Sequence, residues 1–174
     1  MGTKTDGSFD EVTIDSEVTD YFDIWNHVTA SSLVDMNNLF VFGPSFGGAI
    51  TIIAKVTYNL QPKAAILEYP ALSFTDETPA HLKDIGVPST LIESINPYIG
   101  DFEEKYLSKF DINTLILHGS NDTIVGILVS ENAIKYIPNA TLKVIDGAGH
   151  TFGIKENKNV AWPAIVDFLI SNYD

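Results

Sequence analysis

Apolar residues run unbroken through Leu39, Phe40, Val41 and Phe42 and stop at a glycine. A short continuous apolar run bounded by a turn signal predicts a buried strand. The same reading predicts strands over 64–69, 114–118 and 141–145. Between them the period changes to that of a helix. Val18, Tyr21, Phe22, Trp25 and Val28 make a helical stripe over 16–30, and Ile50, Ile53 and Ala54 give the packed side of a helix over 46–58. Further helices are predicted at 130–137 and 159–172. Residues 71–108 break the rhythm, with prolines at 79, 88 and 97 and short mixed apolar runs. No internal repeat, low-complexity run or linker interrupts the chain, so residues 1–174 are expected to form a single domain with a lid-like insertion at about 71–108. Strands alternating with helices imply right-handed crossovers, a mostly parallel sheet and a layered α/β sandwich.

The predicted strand at 39–42 runs directly into Gly43-Pro44-Ser45-Phe46-Gly47-Gly48 and then into a helix. A strand that turns abruptly into a helix holds its apex residue in a strained conformation, and small neighbours fit that bend. Gly43 and Gly47 flank the apex, Gly48 lets the helix approach the sheet, and the Ser45 hydroxyl projects above the strand ends as a candidate nucleophile. Two partners follow in the order such a serine requires. Asp122 lies in the loop after the strand at 114–118, and His150 lies in the small-residue loop Gly147-Ala148-Gly149 after the strand at 141–145. Sites of open parallel sheets form at that carboxyl edge. Asp111 and Asp146 compete with Asp122, which is preferred for its position after a strand. His150 has three rivals. His27 reads as a surface residue of a helix, His118 as a structural hydrogen-bonder at a strand end, and His81 as either a pocket residue or an exposed loop histidine. The glycine run does not match a phosphate loop, for no Lys-Ser or Lys-Thr follows it and its spacing is not Gly-x-Gly-x-x-Gly.

Composition narrows the setting. At 45% hydrophobic and 11% aromatic residues, 174 residues can bury a sizeable core. The absence of cysteine removes disulfide frameworks and thiolate metal sites. Ten lysines stand against 23 acids for a net charge of -13, which argues against nucleic acid or anionic membranes as partners. Acids crowd the early segment at Asp6, Asp10, Glu11, Asp15, Glu17, Asp20 and Asp23, in a spacing that reads as a solvated face rather than a calcium loop. Residues 1–6 carry no apolar leader segment and no stretch is long enough to cross a bilayer, so the expectation is a cytoplasmic protein with no membrane partner.

These motifs, in this order and spacing, resemble the α/β-hydrolase superfamily over most of the chain. Within it, Asp6-Gly7-Ser8-Phe9, then Val12-Thr13-Ile14 and a helix beginning near Ser16, resembles small bacterial feruloyl or cinnamoyl esterases and serine-aminopeptidase-like relatives. The resemblance implies a nucleophile at Ser45, a general base and then acid at His150, and an orienting acid at Asp122. It further implies an oxyanion-hole N–H at Phe46, with no cofactor and no metal. The implied reaction is hydrolysis of a small carboxylic ester through an acyl-enzyme; a peptidase, thioesterase or acyltransferase would use the same triad. Leu72, Phe74, Leu82, Ile85, Leu91, Ile92, Ile95, Tyr98 and Ile99 of the insertion either furnish an apolar pocket over Ser45 or cover the sheet edge.

The chain departs from the family at its beginning, since several strands normally precede the nucleophile strand. The expected architecture is therefore a three-layer α/β-hydrolase-like sandwich lacking the N-terminal strands of the full fold. With them goes the loop that supplies the second oxyanion donor, a loss on the order of 10²- to 10³-fold in turnover. The strand at 39–42 is expected to have an unpaired edge, covered either by a missing half or by a second copy in a homo-oligomer. Two functions follow as expectations: an ester hydrolase, or a catalytically incompetent remnant with a structural or interaction role.

Overall fold

The computed structural model describes residues 7–153, 155 and 157–174. Four strands, β1 (Phe40–Pro44), β2 (Ala64–Glu68), β3 (Asn113–Gly119) and β4 (Ala140–Ile145), form one parallel sheet in the order β1-β2-β3-β4. Phe42 lies opposite Ile66, and Ile66 opposite Leu115, so all the strands end at one edge in register. Every residue of β2 is buried, as a central parallel strand covered on both faces requires. In β4 the exposed Thr141 and Lys143 alternate with Ala140 and Leu142, which pack inward; a lysine on an outer strand discourages further pairing.

The two faces of the sheet belong to two cores. Val41, Ala65, Leu67 and Ile116 pack against α1 (Ile14–Thr29) and α2 (Phe46–Tyr58), whereas Ile66, Leu115, Leu117 and Ile145 pack on the other face. A helix at Trp162–Asn172, entered through a π-turn at Asn157–Ala161, covers that second face through Ala164 and Ile165. The result is three layers. The first helix begins at a capping box: the Thr13 side chain accepts the Ser16 N–H at 3.1 Å, and the Ser16 hydroxyl accepts the Thr13 N–H at 3.0 Å. Asp15 and Glu17 in its first turn face the positive end of the helix dipole. Its stripe docks on α2, where the Phe22 and Tyr58 rings stack at 3.9 Å.

The segment predicted to be irregular folds into short helices: α3 (Thr78–Asp84), α4 (Ser89–Ser94) and a single turn, α5 (Phe102–Lys105). It is stitched to the first core rather than laid over it. Leu72, Ile95 and Phe102 are fully buried, and Phe102 meets Phe74 edge-on at 4.9 Å. Each such apolar side chain contributes about 1.5–3 kcal/mol on burial. The remaining helices in chain order are α6 (Leu128–Ala133), shorter than the predicted 130–137, and α7 (Trp162–Asn172).

Candidate active site

The turn between β1 and α2 places Ser45 at φ 50° and ψ -125°, a strained conformation for a residue with a side chain. Three backbone hydrogen bonds hold it there. The Ser45 N–H donates to Glu68 O at 2.8 Å, and Ser45 O accepts the N–H groups of Gly48 and Ala71, each at 3.0 Å. A Cβ on Gly43 would stand 2.7 Å from Thr51 Oγ1 and 2.8 Å from Gly47 O, and one on Gly48 would stand 2.6 Å from Pro70 Cβ. These two glycines are required by space. Gly47 is not, since its Cβ would meet Pro44 Cδ at an ordinary 3.4 Å.

Two further loops converge on Ser45. After β3, the Asp122 Oδ1 accepts the N–H groups of Ile124 and Val125, both at 2.9 Å, which sets the carboxylate at the head of its own turn. After β4, the chain passes Gly147 at φ 72° and presents His150, followed by Thr151 at φ 67° and Phe152 at φ 50°. Phe152 is buried edge-on against the Tyr69 ring at 4.9 Å, an anchor for that strained pair. The loops are also tied to each other: the Asn121 N–H donates to Ala148 O at 2.9 Å, and the Ser120 N–H donates to Ile145 O at 3.0 Å.

The three side chains form one hydrogen-bonded line. His150 Nδ1 lies 2.8 Å from Asp122 Oδ2, and His150 Nε2 lies 3.0 Å from Ser45 Oγ. A carboxylate only accepts, so Nδ1 carries the proton and Nε2 is left to accept from the Ser45 hydroxyl. Burial pushes the Asp122 carboxyl up. The hydrogen bonds from His150 and from the N–H groups of Val125 and Ile124 outweigh burial and hold it below the usual aspartate value. Phe46 opens α2, where a first-turn N–H has no acceptor within the helix.

The rivals are accounted for elsewhere. Asp111 pairs with Lys55, Asp146 accepts the Ser120 hydroxyl at 3.2 Å, and His27 is exposed on α1. His118 is fully buried among hydrogen-bond partners beside the Asp122 turn. Sequence reasoning passed over Tyr69, whose ring lies 4.6 Å from that of His150 at 58°. Its position immediately after β2, at the edge where the other loops converge, was the available signal.

The comparisons bear on the fold. A family model described as alpha/beta hydrolase fold matches residues 83–156. The Est1E structure from Butyrivibrio proteoclasticus with ferulic acid bound superposes with a TM-score of 0.76 at 20% identity, covering 97% of this chain and 72% of that one. The chain has the α/β-hydrolase fold. An esterase from Exiguobacterium antarcticum, EaEST, shares this fold with a TM-score of 0.75 at 18% identity, over 96% of this chain and 77% of its own. In sequence, 51 residues are 47% identical to the non-heme chloroperoxidase CPO-A1 of Kitasatospora aureofaciens, a match spanning 29% of this chain and 18% of that protein.

In this hydrolase fold an open groove of about 1590 Å³ runs past Ser45. Phe42, Phe46, Ile50, Phe74, Leu82 and Leu91 give it apolar walls, and Glu11, Glu17, Asp20 and Glu77 also line it. The apolar residues of the insertion divide between groove and core. Phe74, Leu82, Ile85 and Leu91 line the groove, Leu72 and Ile95 fill the core, and Ile92 lines a separate shallow depression beside Pro79. His81 is exposed on α3, lines the groove, and reaches Ile124 O with Nε2 at 3.1 Å. Among the described residues, no helix is long and apolar enough to cross a membrane.

Proposed function

We propose that the protein is a serine hydrolase that cleaves a small carboxylic ester through an acyl-enzyme, with Ser45 as nucleophile, His150 as base and acid, and Asp122 as the orienting acid. The observation that carries this reading is the Ser45–His150–Asp122 line, with links of 3.0 and 2.8 Å at the carboxyl edge of a parallel sheet. In the reaction, His150 Nε2 takes the Ser45 proton as Oγ attacks the ester carbonyl. The Asp122 carboxylate, held ionised by its hydrogen bonds, stabilises the imidazolium that results. The resemblance to the family assigns the Phe46 N–H, in the first turn of α2, to the oxyanion. His150 then protonates the departing alcohol, and a water activated by the same imidazole releases the acid from Ser45.

The groove supports an apolar acyl or aryl group rather than a polymer chain bearing many charges. Ferulic acid in the similarly folded Est1E is an aryl acid of that size class, which supports the same choice here. The test is labelling with a fluorophosphonate probe, followed by a screen of short aryl and acyl esters. Labelling is expected in the unmodified chain and absent in Ser45→Ala and His150→Ala. A folded chain that neither labels nor turns over esters would favour the second reading, a structural or interaction role.

A further inference from the structure

His118 is the penultimate residue of β3, within its buried run, and has no solvent exposure. Its Nε2 lies 2.8 Å from Val125 O and 3.3 Å from Asp122 Oδ2, and its Nδ1 lies 2.7 Å from Ser130 Oγ. A carbonyl only accepts, so Nε2 carries a proton, and Nδ1 is free to accept from the Ser130 hydroxyl. That single tautomer satisfies every partner. The Nε2–H is donated to Val125 O, and the ring lies beside the carboxylate oxygen that receives the His150 Nδ1–H at 2.8 Å.

The contacts close a ring around the acid. The Val125 N–H donates to Asp122 Oδ1, Val125 O accepts from His118, and the His118 ring stands 3.3 Å from Asp122 Oδ2. Oδ1 is thus held by Ile124 and Val125, and Oδ2 by His150. A leucine would fill the same volume, but it would leave Val125 O and the Ser130 hydroxyl buried without this partner. It would also remove the bond that holds the turn carrying the Ile124 and Val125 N–H groups in place against the acid. The chemistry at 118 is therefore more specific than packing demands.

We propose that His118 is a positioning residue of the site: its Nε2–H, donated to Val125 O, holds the turn whose N–H groups fix the Asp122 carboxylate at the angle from which Oδ2 meets His150. The inference rests on the reading of Ser45, His150 and Asp122 as the reacting groups. Ser130 completes the device from α6, because its hydroxyl on Nδ1 selects the tautomer that gives the Nε2 proton to Val125 O.

The test combines turnover with long-range proton–nitrogen NMR of the histidine rings in the full chain. His118→Leu is expected to lower kcat about tenfold, the scale of one lost buried hydrogen bond, with KM within about twofold. His118→Gln, whose amide places an N–H where Nε2 stands, is expected to recover most of that loss. In the unmodified chain His118 is expected as the Nε2–H tautomer and His150 as the Nδ1–H tautomer, with His150 becoming a mixture in His118→Leu. The proposal is overturned if His118→Leu loses thermal stability but keeps kcat and the single His150 tautomer. It is also overturned if the unmodified His118 carries no proton on Nε2, a measurement that stands even if the leucine variant fails to fold. Absence of any ester turnover would sink the proposed function alone. The His150 tautomer in His118→Leu would then decide the positioning role, supporting it if mixed and overturning it if unchanged.

Discussion

Replacing Gly119 by alanine puts a single methyl group between the loops that carry Asp122 and His150. The new Cβ would stand 2.2 Å from Ala148 O, 2.7 Å from Ala148 C and 2.9 Å from Gly149 O. Ordinary contact begins at 3.4 Å, so the His150 loop must retreat by 3.4 minus 2.2, or 1.2 Å, from the end of β3. These neighbours are backbone, so no side-chain rotation relieves the overlap. The Asn121 N–H to Ala148 O bond, 2.9 Å long, lies in the path of that retreat. Overpacking of this kind costs about 1–3 kcal/mol. In a chain of this size that is about 2–4 °C of Tm per kcal/mol. A displacement near 1 Å at a reacting group costs about 10²-fold in rate. The assay is calorimetry beside the rate of fluorophosphonate labelling, with Gly149→Ala as the comparison. That glycine lies in the same loop, and its Cβ would find its nearest neighbour at 3.9 Å. Gly119→Ala is expected to lose several degrees and most of its labelling, while Gly149→Ala stays near the unmodified chain. If Gly119→Ala retained both Tm and labelling rate, the close docking of the two loops would be refuted.

Asp122→Asn should lower kcat on the order of 10⁴-fold by presenting the wrong hydrogen-bond pattern to His150 Nδ1, and pre-steady-state acylation would show it. Because the Asp122 carboxyl is held below 3.8, its contribution to stability is present above that value and lost as pH falls through the depressed one. Calorimetry from pH 7 to pH 2 should therefore show the unmodified chain converging on Asp122→Asn at the acid end. Glu68 has the opposite sign: burial raises its carboxyl above 4.5, so its contribution is present below 4.5 and lost as pH rises through the raised value. Glu68→Gln is expected to raise Tm at pH 7 and to lose that advantage at pH 4; an equal gain at both would refute the reasoning. At the sheet edge, β1 presents Phe42 at 51% exposure and, among the described strands, pairs with β2 alone. Light scattering after size exclusion should find a homo-oligomer that covers this edge, and a monomer across the micromolar range would count against it.

The sequence by itself determined the strands, the long helices and the elbow, because each depends on local rules. A continuous apolar run at 39–42, a helical stripe at 18–28 and a glycine-bounded serine are all decided within a few residues of themselves. It also narrowed the acid and the histidine by their places after strands, but left Asp111, Asp146, His27, His81 and His118 in contention. Only the tertiary structure brings Asp122 and His150 into one hydrogen-bonded line with Ser45. The link from Ser45 to His150 spans 105 residues, and it exists because parallel strands in register end at one edge and deliver their loops together. The same non-local cause puts Tyr69 against His150, His118 beside Asp122 and the Gly119 α-carbon beneath Ala148 O. It also divides the insertion into core-filling Leu72 and Ile95 and groove-lining Phe74 and Leu82. A pattern of apolar and polar positions marks what is to be buried; which partner does the burying depends on how the layers close over the sheet.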